Sequence, residues 1–238
     1  KSQIVNQYKN QKPLWLSAWK KGIIKKFRTK KRIIALTFDA CGGLYGNGFD
    51  WRIFDYLKRK KIPATFFLAG RWVLKNKNIV KSIDAIPYFD IQNHGYLHKP
   101  LSVRGWSRYG IKGTLSVGEV YDEVMKNDSL IFSLISKKPI YFRAGTAYYD
   151  NVSIKILYSL GYYPVNFSIP AGDYDITIPV KKIVWNVLST ARPGGICLMH
   201  VNQPKSNTYA SLKIIVKNLK KRGYSFVLLK DYKNYLQD

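Results

Sequence analysis

The chain has 238 residues, a length that suits one α/β barrel or two small domains; 46% of them are hydrophobic and 15% aromatic, which is ample material for a buried core and argues against intrinsic disorder. Its 40 Lys and Arg against 14 Asp and Glu give a formal net charge of +26, which points to an acidic partner: nucleic acid, an anionic membrane surface or an anionic polymer. With 17 Gly, 10 Pro and two Cys, collagen-like and disulfide-scaffold classes are excluded, and no segment reaches the ~18 consecutive apolar residues of a membrane span.

Residues 1–30 read as an arm, in which Leu14, Trp15, Leu16 and Trp19 precede a basic run through Lys20, Lys21, Lys25, Lys26 and Arg28. Aromatic residues near a terminus commonly dock it to the domain, so this arm is expected to pack on residues 31–238 with its lysines solvated. From there strands and helices alternate. Residues 32–39 are a short β-branched apolar run, a buried-strand signal, and residues 50–61 carry Ile53, Phe54 and Leu57 at helical spacing. A strand at 62–68, a helix at 72–86 and a strand at 89–91 follow. A Gly-, Ser- and Arg-containing loop at 99–117 leads to a helix at 120–135, a strand at 140–142 and a helix at 152–160. The last elements are a strand at 163–169, a helix at 180–191, a strand at 196–199, a helix at 210–219 and a strand at 224–229. The order predicts a parallel sheet with helices outside it, either open or closed as a barrel, with its chemistry at the carboxyl ends of the strands.

The polar residues meet that demand. The three histidines, His94, His98 and His200, each lie just beyond a predicted strand. His94 and His98 are four apart, a spacing that can turn both imidazoles toward one ion. Asp39 ends the first strand, Arg143 follows the fourth, and Asp173 follows the next. Candidate acid, base and ligand residues therefore share one rim, a joint placement more telling than any one of them. Cys41 and Cys197 have no CxxC spacing and are expected to be free thiols, pairing only if the fold brings them together in an oxidising compartment. No signal peptide is visible, which says nothing about compartment.

Over residues 32–232 the sequence resembles the polysaccharide deacetylases of the NodB-homology type, carbohydrate esterase family 4. The motif TFDD appears as Thr37-Phe38-Asp39-Ala40, the two-histidine motif as His94-Gly95-Tyr96-Leu97-His98, and the arginine-led segment as Arg143-Ala144-Gly145-Thr146-Ala147. The aspartate motif falls on Asp173, and the Leu-x-His motif is Leu198-Met199-His200. The resemblance implies a distorted (β/α)7-8 barrel and metal-dependent removal of N-acetyl groups from an N-acetylhexosamine-containing envelope glycan. Asp39 would then be the general base, held ionised by Arg143, and His200 the acid that protonates the leaving amine, aligned by Asp173. The oxyanion would rest on the metal and a main-chain N–H near Thr146. The resemblance places the enzyme in the cell envelope, periplasmic or secreted.

One departure bears on the metal. The second aspartate of TFDD, which supplies a ligand beside the two histidines, is Ala40 here. Asp39 itself can ligate with His94 and His98; Asp50, or less favourably the Cys41 thiolate, can fill the vacancy; or the site binds metal weakly or not at all. Zinc suits two imidazoles and a carboxylate, with other transition metals open. Metal independence keeps alive hydrolysis of another non-peptide C–N bond, such as a cyclic amide. A catalytically degenerate basic module for anionic polymer is a third reading. Trp106, Tyr148 and Thr146 are the expected substrate contacts, Trp106 in a wall with Arg104, Arg108 and Tyr109. The loop around Gly42, Gly43, Gly46 and Gly48 is expected to let substrate approach closely. Lysines of the outer helices, such as Lys213, Lys217, Lys220 and Lys221, are expected to be solvated. Through such faces the charge suits an anionic envelope polymer or membrane surface, and no nucleic-acid motif is present.

Overall fold

The structure is a computed structural model that describes residues 1–16 and 22–237; Trp19, Lys20 and Lys21 of the N-terminal arm fall outside these. In chain order the elements are α1 (Ser2–Tyr8), β1 (Trp15–Leu16), β2 (Lys26–Phe27), β3 (Ile33–Ala40), α2 (Trp51–Arg59), β4 (Ala64–Leu68), α3 (Gly70–Val73), α4 (Lys77–Asp84) and β5 (Phe89–Asn93). They continue through α5 (Val117–Ile135), β6 (Tyr141–Phe142), β7 (Tyr149–Asp150), α6 (Asn151–Ser159), β8 (Tyr163–Pro164), β9 (Ile169–Pro170), α7 (Val180–Thr190), β10 (Gly195–His200), α8 (Thr208–Lys221), β11 (Ser225–Val227) and β12 (Leu236–Gln237).

All eight residues of β3 and all five of β4 are buried, as in strands covered on both faces. Strands β10, β3, β4, β5, β6 and β8 are neighbours in parallel register. The segment after β8 crosses back so that β9 pairs with β10, curling the sheet into a distorted β/α barrel. His200 lies beside Asp39, and Asn93 beside Leu68 and Phe142, so the strand ends that carry the polar residues finish at one rim. The helices bury apolar stripes against the sheet: Ile53, Phe54 and Leu57 from α2, and Leu212, Ile215, Val216 and Leu219 from α8. Lys213, Lys217, Lys220 and Lys221 stay on the exposed face of α8.

Two expected elements divide. The helix expected at 72–86 is two, α3 and α4, because Asn76 interrupts it. The Asn76 side chain donates to the Trp72 carbonyl at 2.9 Å and its extended φ of −131° starts the second helix. The strand expected at 163–169 is also two, since Pro164 and Pro170 lack the N–H a continuous ladder needs, and Asn166 N donates to Ile24 O instead. The described part of residues 1–30 packs on the domain: α1 lies against α5 and α6, and β1 pairs antiparallel with β7.

Candidate active site

Asp39 leaves the end of β3 buried, and its Oδ1 accepts from Arg143 Nη1 at 2.6 Å. Arg143 is fully buried after β6. Its other nitrogens donate to the carbonyls of Val165 and Asn166 at 3.3 and 3.0 Å, and its guanidinium lies 4.1 Å over the Phe67 ring. This is a desolvated ion pair whose remaining donors are satisfied, the condition under which such a pair is tolerated. Burial works to raise the Asp39 pKa, but Arg143, His94 and His200 together hold it below the usual carboxylate value.

On β10, His200 Nδ1 lies 2.9 Å from Asp173 Oδ1, while Asp173 Oδ2 accepts from His200 N and Thr208 Oγ1, each at 2.8 Å. Burial opposes the imidazolium, but Asp173 outweighs it and raises the His200 pKa well above its ordinary value. Asp39 and His200 therefore carry opposite charges on adjacent strands, one able to accept a proton and the other to give one.

His94 and His98 flank the same space with ring centroids 4.7 Å apart. His94 Nδ1 donates to the Arg143 carbonyl at 2.8 Å, which leaves the Nε2 lone pair to face Asp39 Oδ2 at 3.4 Å and Cys41 Sγ at 3.8 Å. Burial lowers both pKa values, which favours the neutral imidazole, the form that ligates metal. The loop between them is anchored by buried Glu123, which accepts from Leu97 N and Lys99 N at 3.0 Å. Gly145 lets this loop approach the arginine segment, since a Cβ there would lie 2.1 Å from the His98 carbonyl oxygen. Among the described residues, the group of three able to hold an ion is Cys41, His94 and His98, with donor atoms within 4.8 Å of one another. The Cys41 thiol is pushed up by burial, but the His98 and His200 imidazoles prevail and bring it down to about 6.

These groups open into a cavity of about 730 Å³, lined by Asp39, Cys41, His94, His98, Thr146, Tyr148 and His200 together with Tyr45, Tyr109, Phe167 and Tyr174. Apolar and aromatic walls around a few convergent polar groups suit a sugar ring and its acetyl group. Thr146, at φ 67°, has a buried Oγ1 without a hydrogen-bond partner among the described residues.

Two expected residues stand elsewhere. Asp50 is no neighbour of the histidines; its carboxylate caps α2 through Arg52 N at 3.1 Å and pairs with the Arg52 guanidinium at 2.7–2.8 Å. Trp106 does not line the cavity. It packs on Trp15 with centroids 5.6 Å apart, and Trp15 in turn packs on Tyr148 at 5.8 Å, so Trp106 backs the wall without forming it. Of the other tryptophans, Trp72 is core and donates its indole N–H to Gly48 O. Of the loop's glycines, Gly42 and Gly46 border the cavity, together with Tyr45 between them. Both cysteines are free. Sequence reasoning passed over Glu123 and Thr208, which support the loop and Asp173; neither carries a local pattern that marks it.

A strand-end rim of this kind belongs to the carbohydrate deacetylases, hydrolases built on a curled β/α sheet. The family model described as polysaccharide deacetylase matches residues 26–165, more than half of the chain, and the chain is a member of that family. It is 27% identical over 206 residues to the peptidoglycan-N-acetylmuramic acid deacetylase PdaA of Bacillus subtilis, covering 85% of this chain and 72% of that protein. It is 30% identical over 215 residues to a peptidoglycan-N-acetylglucosamine deacetylase of Bacillus cereus, covering 86% and 90%. Among solved structures it resembles a CE4 family pseudoenzyme from Bacillus anthracis, with TM-score 0.75, 25% identity and coverage of 91% of this chain and 69% of that one. A mutant described as a CE4 family pseudoenzyme with restored enzymatic activity superposes with TM-score 0.76, at 26% identity and coverage of 91% and 72%.

Proposed function

We propose that this protein removes N-acetyl groups from an N-acetylhexosamine-containing glycan of the cell envelope, peptidoglycan or a related polysaccharide, with a divalent metal held by His94 and His98. One observation carries the reading: Asp39 and His200 stand on adjacent strand ends of one cavity, each tied to its own buried partner of opposite charge type. The inward-facing imidazoles of His94 and His98, whose neutral form burial favours, fit a metal, and zinc suits them well. When bound, the ion supplies Lewis acidity to the acetyl carbonyl and the attacking water.

The remaining steps fall to the chain's own groups. Asp39 accepts the water's proton; its lowered pKa makes it a weak base, so the water must be acidified for the transfer to succeed. Arg143 keeps that carboxylate ionised and oriented. Thr146 and its backbone, which line the cavity, would meet the charge that gathers on the acetyl oxygen. His200 protonates the amine, a poor leaving group until it is charged, and Asp173 keeps the imidazole aligned. Tyr148 offers a ring face to the sugar. The two peptidoglycan deacetylase relatives support the substrate class and an envelope or secreted location, where the basic helix faces would hold the enzyme against anionic polymer or a membrane surface.

Acetate release from N-acetylglucosamine oligomers and purified peptidoglycan, with each divalent ion in turn, tests the proposal. Release that depends on metal is the expected result; none with any ion, alongside turnover of a cyclic amide, overturns it. Ala40 and the likeness to a pseudoenzyme favour one second reading, a non-hydrolytic glycan-binding module, which predicts oligomer binding without acetate.

A further inference from the structure

We infer that Cys41 is the third protein ligand of the metal, making the site a thiolate with two imidazoles in place of the carboxylate with two imidazoles that the TFDD motif would supply. The inference rests on the metal-dependent reading above and deepens it. Ala40 has no donor, and Asp50 is committed to α2 and Arg52. Asp39 is committed through Oδ1 to Arg143, and although its Oδ2 lies 3.4 Å from His94 Nε2, the group of described residues whose donors all lie within 4.8 Å of one another is Cys41, His94 and His98. The first side chain beyond the end of β3 is Cys41, and its Sγ lies 3.8 Å from His94 Nε2, the one ring nitrogen of His94 not engaged by the Arg143 carbonyl.

The spacing fits one ion. Bond lengths of about 2.3 Å to sulfur and ~2.05 Å to nitrogen at tetrahedral angles place donors about 3.3–3.6 Å apart. The Cys41–His94 separation exceeds that by a few tenths of an ångström, and all three donors already lie within 4.8 Å of one another. His98 points independently to a ligand: it is more than nine-tenths buried, borders the cavity, and its Nδ1 has no hydrogen-bond partner among the described residues.

The backbone holds the thiol there. Ala40 O accepts from Ala69 N at 3.0 Å, and Cys41 O accepts from Arg71 Nε at 2.7 Å. Gly42 then turns at φ 69°, where a Cβ would meet Arg71 Cγ at 2.8 Å and Trp72 N at 3.0 Å. A chain reversed this tightly after Cys41 presents its side chain to the histidines and excludes a bulkier residue at 42. Two consequences follow. The charge of the lost carboxylate is replaced by a softer donor, which favours zinc and cobalt(II) over magnesium and manganese. Asp39 need not ligate, so it is free to take the proton.

The test uses the full chain stripped of metal and titrated with cobalt(II) and zinc. Wild type is expected to take one ion per chain and to show a near-ultraviolet thiolate-to-cobalt charge-transfer band. Cys41→Ser is expected to lose the band and to weaken zinc by more than the ~10–100-fold typical of losing a residue that only orients a ligand. Cys41→Asp is expected to keep one ion without the band, which separates ligand loss from misfolding. Zinc should protect Cys41 from alkylation; the buried Cys197 serves as the internal control. Cobalt binding that His94→Ala abolishes but that shows no sulfur band, with Cys41→Ser at wild-type affinity, overturns the inference. Acetate release measured in parallel keeps the two readings apart. A sulfur band without acetate from any N-acetylated glycan supports Cys41 as ligand and overturns the deacetylase; acetate without the band does the reverse.

Discussion

At the ends of β3, β6 and β10 the charged groups hold one another: Arg143 grips Asp39, and Asp173 grips His200, each pair within side-chain hydrogen-bond distance and largely buried. Beyond the end of β3 the chain from Cys41 to Gly48 is held by its main chain. Arg71 donates to Cys41 O, Asn202 Nδ2 donates to Gly46 O, and Gly43 N donates to Asn47 Oδ1. The difference decides what each side tolerates. Changing one member of a buried charge pair strands the other, whereas a backbone-held loop can exchange a side-chain donor while its course stays the same. Asp39, Arg143, Asp173 and His200 on the first side match the family's motif residues, although the segment after Arg143 lacks the prolines and tyrosine of the family's RPPYG; the departure at Ala40 falls on the second.

The sharpest break is expected on the paired side. Asp39→Asn should lower kcat for acetate release by roughly 10²–10⁴-fold, the range for loss of a general base. A loss under tenfold would remove Asp39 from proton transfer. Asp173→Asn comes next, read as a pH–rate profile. His200 acts while protonated, and its raised pKa extends activity upward in pH; without the carboxylate, burial prevails and the pKa falls, so the alkaline limb moves to lower pH. Above the new value each unit of fall removes about tenfold of the protonated fraction. An unmoved limb would assign it to another group.

Smaller effects probe the supports. Gly145→Ala forces a Cβ against the His98 carbonyl and should cost about 1–3 kcal/mol in urea unfolding, as overpacking does, with weaker cobalt binding in the same protein. Full stability with wild-type cobalt affinity would mean that the two loops are not tightly coupled. Tyr148→Ala should raise KM for oligomers about threefold to tenfold, the equivalent of a lost ring contact, with kcat little changed. Trp106→Ala, one ring further out behind Trp15, should raise it less; the reverse order would place Trp106 in contact with substrate.

How legible the site was depended on where each residue sits relative to its strand. Asp39, Arg143 and His200 follow short apolar runs directly, so a parallel-sheet reading places them on one rim, and β3 and β10 deliver Asp39 and His200 side by side. Asp50 follows the same strand at greater distance along the chain, where it opens α2 as a helix cap and pairs with Arg52, a role that competes with metal ligation. Trp106 lies in the loop directly after the histidine pair, but proximity in sequence could not show that Trp15, over ninety residues earlier, stands between it and Tyr148. The two split elements were hidden for a related reason: a window of apolar residues does not reveal where a single Asn side chain or a proline removes a ladder bond.

By itself the sequence determined the alternating β/α order, the family, and the placement of Asp39, His94, His98, Arg143 and His200 near the strand ends, because strand periodicity and motif spacing are local properties of the chain. Tertiary structure alone decided which side chain lies beside the histidines where the motif lacks its second aspartate, and which rings line the cavity. Those outcomes depend on the register of β3 against its neighbours, on the Arg71 and Trp72 backbone that turns the chain after Cys41, and on contacts between residues more than ninety positions apart. Local patterning carries no information about such long-range contacts, which arise only once the sheet has curled and its strand ends have met.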